Sequence, residues 1–498
     1  MSNVKHMYIG GELVESGETH DVISPATGKV VGTIAWGGEK ETLAALDAAK
    51  AALDFWPATP VEERISWMLK LRDEVVAHAD QLRTAVANEA GKPWEETAED
   101  VDGVIDSLTY YAEEIRGFLT PTELPDLDGS YRNEMIYEPV GVVGAFLAWN
   151  FPLLNLGYKL GPAMAAGCPI VIKPSSKTPL SAYLVGELCE KIGLPAGIVN
   201  IISGDNAAVG DTLSRSTIPS MLTLIGSGNV ARRIMELGSS SIKRYSMELG
   251  GNAPALVFND ADLDLAVDIV AGLKFKNAGQ ICVTPNRVFV HTDIADTFTD
   301  MVVQRAETVR IGFGPEGTVD MGPLIEGSAL NRIKGLVDDA VAKGATVLTG
   351  GGRAESENGG TYFQPTVLRD VTPDMRIYRE EIFGPVVSIL TFEDEQEALS
   401  QANDTDAGLS SFIFTPDADR IDRVSRGLRF GEVQVNGVKY GMDMPHGGIK
   451  QSGLGHDGSR YALHDYLALK RVSYGITDAA NPFKNAVSAD EADASTIN

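Results

Sequence analysis

From Lys40 to about Phe118 apolar residues return at three- and four-residue steps, through AALDAAKAALDFW and VEERISWMLKLRDEVVAHADQLRTAVANEAG. That spacing lines one face of a 3.6-residue helix, so the stretch predicts successive amphipathic helices. Pro60 followed by Val61, Glu62 and Glu63 marks one start, because the first turn needs no N–H from the proline and its positive end suits acidic residues. Before this, MYIGGELVESGETHDVISPATGKVVGTI alternates apolar and polar positions between Gly and Pro breaks, the pattern of short strands and turns.

After Pro139 the texture changes. VGVVGAFLAW, CPIVIKP and GIVNIISG are short apolar runs separated by helical segments, which predicts a largely parallel sheet buried on both faces. A second alternation follows Gly250: APALVF, a helical segment, RVFVH, a helix from Ala295 to Thr308, then ATVLTGG and VVSILTF. The expected architecture is two doubly wound α/β lobes with a boundary near Glu248 to Gly251. RNEMIYEPV alternates enough to be a separate strand.

Composition narrows the function classes. At 498 residues with a formal net charge of −27, the chain is long enough for two or three packed lobes and too acidic to suit nucleic acid. No run of about 18 apolar residues predicts a membrane span, and the N-terminus lacks a secretory pattern. Three cysteines do not make a disulfide framework, so a reduced, cytoplasmic setting is expected.

Three local patterns carry candidate chemistry. Cys282, in FKNAGQICVTPNR, sits in a Gly-containing turn beside Asn277, Gly279 and Gln280, where a thiolate could attack a carbonyl. Glu248, in MELGGNAP, could serve as a general base for water. Asn150, in WNFP after an apolar strand, could donate to a developing oxyanion. Each pattern alone also has a structural reading: a small core cysteine, a capping glutamate, a turn. Cys168 and Cys189 fit only the first of these, as packed thiols.

Together with IKPSSKTP, LPAGIVNIISG, IGSG, EEIFGPV, VQVNG and HGGIKQSGLG, in that order along the chain, these patterns resemble the aldehyde dehydrogenase superfamily from roughly Tyr8 to Val472. The resemblance implies Cys282 as nucleophile, Asn150 with the Cys282 N–H as oxyanion hole, and Glu248 as base for the deacylating water. It implies cofactor contacts at Trp149, Lys173, Ser175, Ser176, Gly226, Ser227, Leu249, Glu381 and Phe383, with no metal. It also implies an arrangement of residues 1–118 and 141–250 as the cofactor-binding domain and 251–455 as the catalytic domain. Residues 119–140 and 456–498 would supply oligomerisation strands and a tail, in a homodimer or homotetramer. Relatives that pass the acyl group to coenzyme A generally lack the glutamate at 248, so hydrolysis to the free acid is expected. One departure concerns the phosphate loop: IGSGNVA has Ala231 where the family usually has a second glycine.

NAD-preferring relatives usually carry a glutamate where this chain has Ser176, followed here by Lys177. Serine and lysine can bond a 2′-phosphate that a carboxylate would repel, so NADP is expected to be accepted and preferred, with NAD the alternative. The resemblance places Tyr158, Lys276, Ile281, Val283 and His446 along the substrate path. Lys276 suggests an aldehyde with an anionic far end, a semialdehyde; His446 in MPHGG is similar to aminoaldehyde-oxidising relatives and supports the competing substrate class. A non-redox thiol esterase or acyltransferase, or an idle structural relative, would not need the intact cofactor motifs.

Overall fold

The structure is a computed structural model that describes residues 4–314, 317–355, 359–476 and 480. Five parallel strands form the centre of the first sheet, in the order Arg244–Glu248, Pro219–Ile225, Val142–Phe146, Ile170–Lys173 and Val199–Ile201. Gly453–Leu454 adds antiparallel at one edge, and the opening hairpin Met7–Ile9 with Glu12–Val14 adds antiparallel at the other. The parallel part of this sheet starts at Val142–Phe146, runs outward through Ile170–Lys173 and Val199–Ile201, then returns to the other side. The sheet therefore reverses direction between Val142–Phe146 and Pro219–Ile225, and such a switch point opens a crevice at the strands' carboxyl ends.

The second sheet has the order Thr346–Thr349, Thr366–Arg369, Val386–Phe392, Arg287–His291, Pro254–Val257, Ser410–Phe414 and Glu432–Val435. All neighbours are parallel except the first pair. Each sheet has its own apolar core, one built on residues such as Val143, Ile172 and Leu222, the other on Leu256, Phe289 and Ile389. Glu248 ends the last parallel strand of the first sheet and Pro254 begins the second sheet, so the chain crosses between lobes in five residues.

The helical stretch contains Glu39–Ala52, Val61–Ala77, Ala79–Ala90, Thr97–Glu114 and Arg116–Leu119. Pro60 caps the second of these. Thr97–Glu114 packs tightly on Pro152–Ala166 through glycines: a Cβ at Gly103 would lie 2.5 Å from Leu154, and one at Gly157 would lie 2.5 Å from the Gly103 carbonyl. This close approach fixes the helix that carries Asn155 and Tyr158.

All of RNEMIYEPV but its last residue lies in the strand Tyr131–Pro139, the centre of a third, antiparallel sheet between Thr122–Leu124 and Leu467–Gly475. The polar tail from about Asn481 lies outside the described residues. Cys168 and Cys189 are fully buried. Among the described residues no helix is long and apolar enough to cross a membrane.

Candidate active site

A cleft of about 750 Å³ runs between the lobes, and Trp149, Asn150, Glu248, Cys282 and Glu381 all line it. Its position follows from topology. The first sheet contributes residues just past the carboxyl ends at its switch point, Trp149 and Asn150 from one strand and Gly226 and Ser227 from the next. The second sheet contributes residues just before its strands: Cys282 ahead of Arg287–His291, and Glu381 and Phe383 ahead of Val386–Phe392.

The turn that presents Cys282 is unusual backbone held by side-chain amides. Asn277, Ala278 and Gly279 have φ of 47°, 52° and 70°, left-handed conformations that cost non-glycine residues energy. Asn277 Nδ2 donates to the Asn150 carbonyl at 3.0 Å, and Gln280 Nε2 donates to the Asn277 carbonyl at 3.0 Å. Gln280 Oε1 accepts from the Ile325 N–H at 2.9 Å. Cys282 is thus fixed in a partly accessible position, flanked by buried Ile281 and Val283, which pack with Phe151 and Leu409. Burial pushes its thiol upward, and contact with His446 acts in the opposite direction.

Asn150 is held on both sides. Its Oδ1 accepts from Asn155 Nδ2 at 3.3 Å, and its Nδ2 donates to the Gln280 carbonyl at 3.1 Å. An amide nitrogen has two hydrogens, so one donor is left for a ligand beside the cysteine.

Glu248, the last residue of its strand, is buried, and neither carboxylate oxygen has a hydrogen-bond partner among the described residues. Burial raises it well above the usual carboxylate range, and His446 opposes this. A buried, unpaired carboxyl facing a cleft is costly to ionise, which is the condition for a base operating near neutral pH. Close by, Lys159 Nζ bonds both oxygens of Asp457 at 2.6 and 2.7 Å in a fully buried pair.

The cofactor-side residues divide. Gly226, Ser227, Leu249, Glu381, Phe383 and Trp149 line the cleft, and the Trp149 and Phe383 rings meet edge to face at 5.5 Å. Ser227 caps the helix Gly228–Gly238, and Ala231, where a glycine was expected by resemblance, is buried on that helix. Glu381 accepts from the Gly251 N–H at 3.0 Å and is raised to about 7 by burial. Lys173, Ser175 and Ser176 do not line the cleft. Lys173 Nζ donates to Asn206 Oδ1 at 3.0 Å and is lowered to about 8 by burial, while Ser175 Oγ accepts from the Lys177 N–H. Lys177 does line the cleft, paired with Glu326 of the other lobe at 2.6 Å.

On the substrate side, Tyr158, Lys276 and His446 line the cleft. Lys276 is not a free cation: its Nζ pairs with Glu99 at 2.5 Å. His446 stacks on Tyr158 at 6.0 Å, meets Tyr440 edge-on at 6.3 Å, and places Nδ1 2.7 Å from Glu432 Oε1. Sequence reasoning missed Glu99, Glu326, Glu432 and Tyr440. None stands in a distinctive local pattern; only tertiary packing brings Glu99, Glu326 and Tyr440 to the cleft and Glu432 against His446.

Comparison with known proteins agrees with this geometry. The aldehyde dehydrogenase family matches residues 13–472. The chain belongs to this family. It is 39% identical to the NADP(+) succinate-semialdehyde dehydrogenase of Escherichia coli, over 94% of this chain and 97% of that one. It is 38% identical to the glutarate-semialdehyde dehydrogenase of Pseudomonas putida, over 94% and 97%. The crystal structure of betaine aldehyde dehydrogenase from Staphylococcus aureus in complex with NAD+ superposes with a TM-score of 0.92 at 33% identity, over 96% of each chain. The protein is therefore an aldehyde dehydrogenase with the family's two-lobed α/β fold, and its reaction is NAD(P)-dependent aldehyde oxidation.

Proposed function

We propose that this aldehyde dehydrogenase oxidises a semialdehyde with an anionic far end to the carboxylic acid, through a thioester on Cys282, with NADP preferred over NAD. One observation carries the mechanism: Cys282, Glu248 and the Asn150 amide converge on a single cleft between the lobes. The Cys282 thiolate attacks the aldehyde carbon, and the free Asn150 N–H with the Cys282 backbone N–H receives the oxyanion. The bound nicotinamide supplies the acceptor for the hydride that leaves this carbon. Glu248, unpaired and protected from solvent, then takes a proton from the water that hydrolyses the thioester.

The residues present fit a dinucleotide. The switch-point crevice opens onto the Ser227-capped helix N-terminus, whose N–H groups suit a pyrophosphate. Glu381 and Phe383 stand on the catalytic side for the nicotinamide ribose. Lys173 and Ser176 would meet the adenosine ribose, and Lys177 would exchange Glu326 for a 2′-phosphate, the stronger anion.

The anionic-end reading rests on Lys276 at the cleft. Its pairing with Glu99 means that a substrate carboxylate must compete for it, so selectivity for charge should be modest. Similarity to two semialdehyde dehydrogenases supports this class. The aromatic wall of Tyr158, His446 and Tyr440 supports a second reading, an aminoaldehyde, in line with the likeness to betaine aldehyde dehydrogenase. The exposed outer edges of the third sheet are where a homodimer or homotetramer would pair.

Initial rates of cofactor reduction with NADP and NAD test these readings, using succinate semialdehyde, an aminoaldehyde and an uncharged aldehyde of similar length. Highest kcat/KM with NADP and succinate semialdehyde supports both; preference for NAD and the aminoaldehyde overturns both.

A further inference from the structure

Lys276 does not stand alone in the cleft. Its Nζ pairs at 2.5 Å with Glu99, and both side chains line the cleft, 35% and 41% exposed. The two arrive from opposite lobes. Glu99 lies in the first turn of Thr97–Glu114, where the positive helix end favours its ionised form. Lys276 follows directly on the helix Leu263–Phe275, at the start of the turn that presents Cys282. Each is fixed by its neighbours. Gly103, one helical turn beyond Glu99 on the same face, packs against Leu154. Leu154 in turn lines the cleft and packs on the apolar cluster of Phe151 and Ile281 that also holds Cys282. The N–H of Asn277, next to Lys276, donates to Glu96 Oε2 at 2.9 Å. An apolar wall and a pair of opposite charges therefore share one cleft with the nucleophile.

A carboxylate has two oxygens and an ammonium three hydrogens, so one contact between them leaves acceptors on Glu99 and donors on Lys276. A ligand carboxylate alone would make two carboxylates share one ammonium, and a ligand ammonium alone would make the mirror arrangement. A ligand end with both groups closes an alternating quartet, its carboxylate on Lys276 and its ammonium on Glu99, with no charge left over. We propose that the Glu99–Lys276 pair selects semialdehydes whose far carbon bears an ammonium beside the carboxylate, the semialdehydes of α-amino acids. This rests on the reading of Lys276 as the seat of the substrate's anionic end, and it makes Glu99 a second specificity-determining residue.

The surrounding charges favour such an end over a plain carboxylate. Glu96 adds a further carboxyl beside the pair, pushed up to about 7 by burial and drawn back by Lys92 and Lys276. Lys92 and Asp100, fully buried and 2.5 Å apart, neutralise each other. The other lysine and arginine side chains lining the cleft among the described residues are already engaged. Lys177 is held by Glu326, and Arg332 donates to the Glu381 and Ile382 carbonyls. A lone carboxylate thus gains Lys276 only at the expense of Glu99. Ion pairs as exposed as this one are weak, so a ligand that satisfies both partners reorganises it at little cost.

Two four-carbon aldehydes that differ only in the ammonium test the proposal: succinate semialdehyde and aspartate β-semialdehyde, each with saturating NADP. Wild-type kcat/KM should be roughly tenfold higher for aspartate β-semialdehyde, the value of about one charged hydrogen bond. Glu99→Gln should lower that figure roughly tenfold through KM, because the group is remote from the reacting carbon. The same variant should leave succinate semialdehyde unchanged or improve it, since Lys276 loses its competitor. A role of Glu99 confined to the fold would move both substrates together. Equal effects on both, or a wild-type preference for succinate semialdehyde, overturn the proposal; the second comparison needs no variant to fold. Lys276→Met judges the underlying reading separately. Loss with both aldehydes upholds it, whereas unchanged rates with both would remove that reading and the proposal with it.

Discussion

Asn150 and Gln280, 130 positions apart in the chain, are joined by a hydrogen bond of 3.1 Å from the Asn150 amide to the Gln280 carbonyl. The bond ties the end of the first sheet's switch-point loop to the turn that presents Cys282. It also leaves the second Asn150 amide hydrogen without an acceptor among the described residues, and the proposed mechanism gives that hydrogen to the oxyanion. Asn150→Ala should therefore lower kcat by about 10²–10³, the typical loss of one oxyanion donor, with little change in cofactor affinity. Steady-state kinetics with a cofactor titration check this; a loss confined to KM contradicts it.

Glu248 should act after hydride transfer. Glu248→Gln should keep a rapid burst of cofactor reduction near one equivalent per site, followed by turnover slowed by about 10²–10⁴. The base works only when ionised, and burial raises it well above the usual carboxylate range. Wild-type turnover, where deacylation limits it, should thus rise with pH above that range, and the variant's profile should lose this limb. Stopped-flow absorbance across pH measures both.

Ser176 and Lys177 set the cofactor prediction. Ser176→Glu should reduce kcat/KM for NADP roughly 10- to 100-fold, equivalent to losing one or two charged hydrogen bonds, and leave NAD use intact or improved. Equal losses with both cofactors would argue against a 2′-phosphate at this position.

Lys274 offers a test in stability rather than turnover. It is fully buried, its Nζ has no hydrogen-bond partner among the described residues, and burial lowers it to about 7, opposed by Glu381. The unfolded chain holds this proton up to about 10.4, so the cost of folding with it grows as pH falls from there to about 7 and is complete below. Lys274→Met should consequently stabilise the protein by a few kcal/mol at pH 6 and by progressively less toward pH 10. Denaturant unfolding at several pH values checks the sign.

Legibility in the sequence followed physical scale. Strands buried on both faces announced themselves as apolar runs, so Val142–Phe146, Ile170–Lys173 and Arg287–His291 could be read directly. Arg244–Glu248 could not, since RYSME has no apolar run and becomes a strand because its neighbours supply a sheet edge. SSFIF and EVQV are likewise too short and too polar to stand out as the strands Ser410–Phe414 and Glu432–Val435, although Glu432 faces His446. Cys282, Glu248 and Asn150 were legible because each lies in a local motif. The partners Glu99 and Glu326 were not, because an ion pair across two lobes leaves no mark in the sequence near either residue, and Glu432 was not, because only the folding of the loop after its strand brings His446 back to it.

The most direct test of the account is to trap the acyl enzyme. Glu248→Gln is mixed with NADP and succinate semialdehyde, quenched after one turnover, and digested for peptide mass. A succinyl thioester on the Cys282 peptide, matched by one equivalent of reduced cofactor, is the predicted result. Reduced cofactor with no adduct on Cys282, while the variant turns over at the wild-type rate, would contradict it.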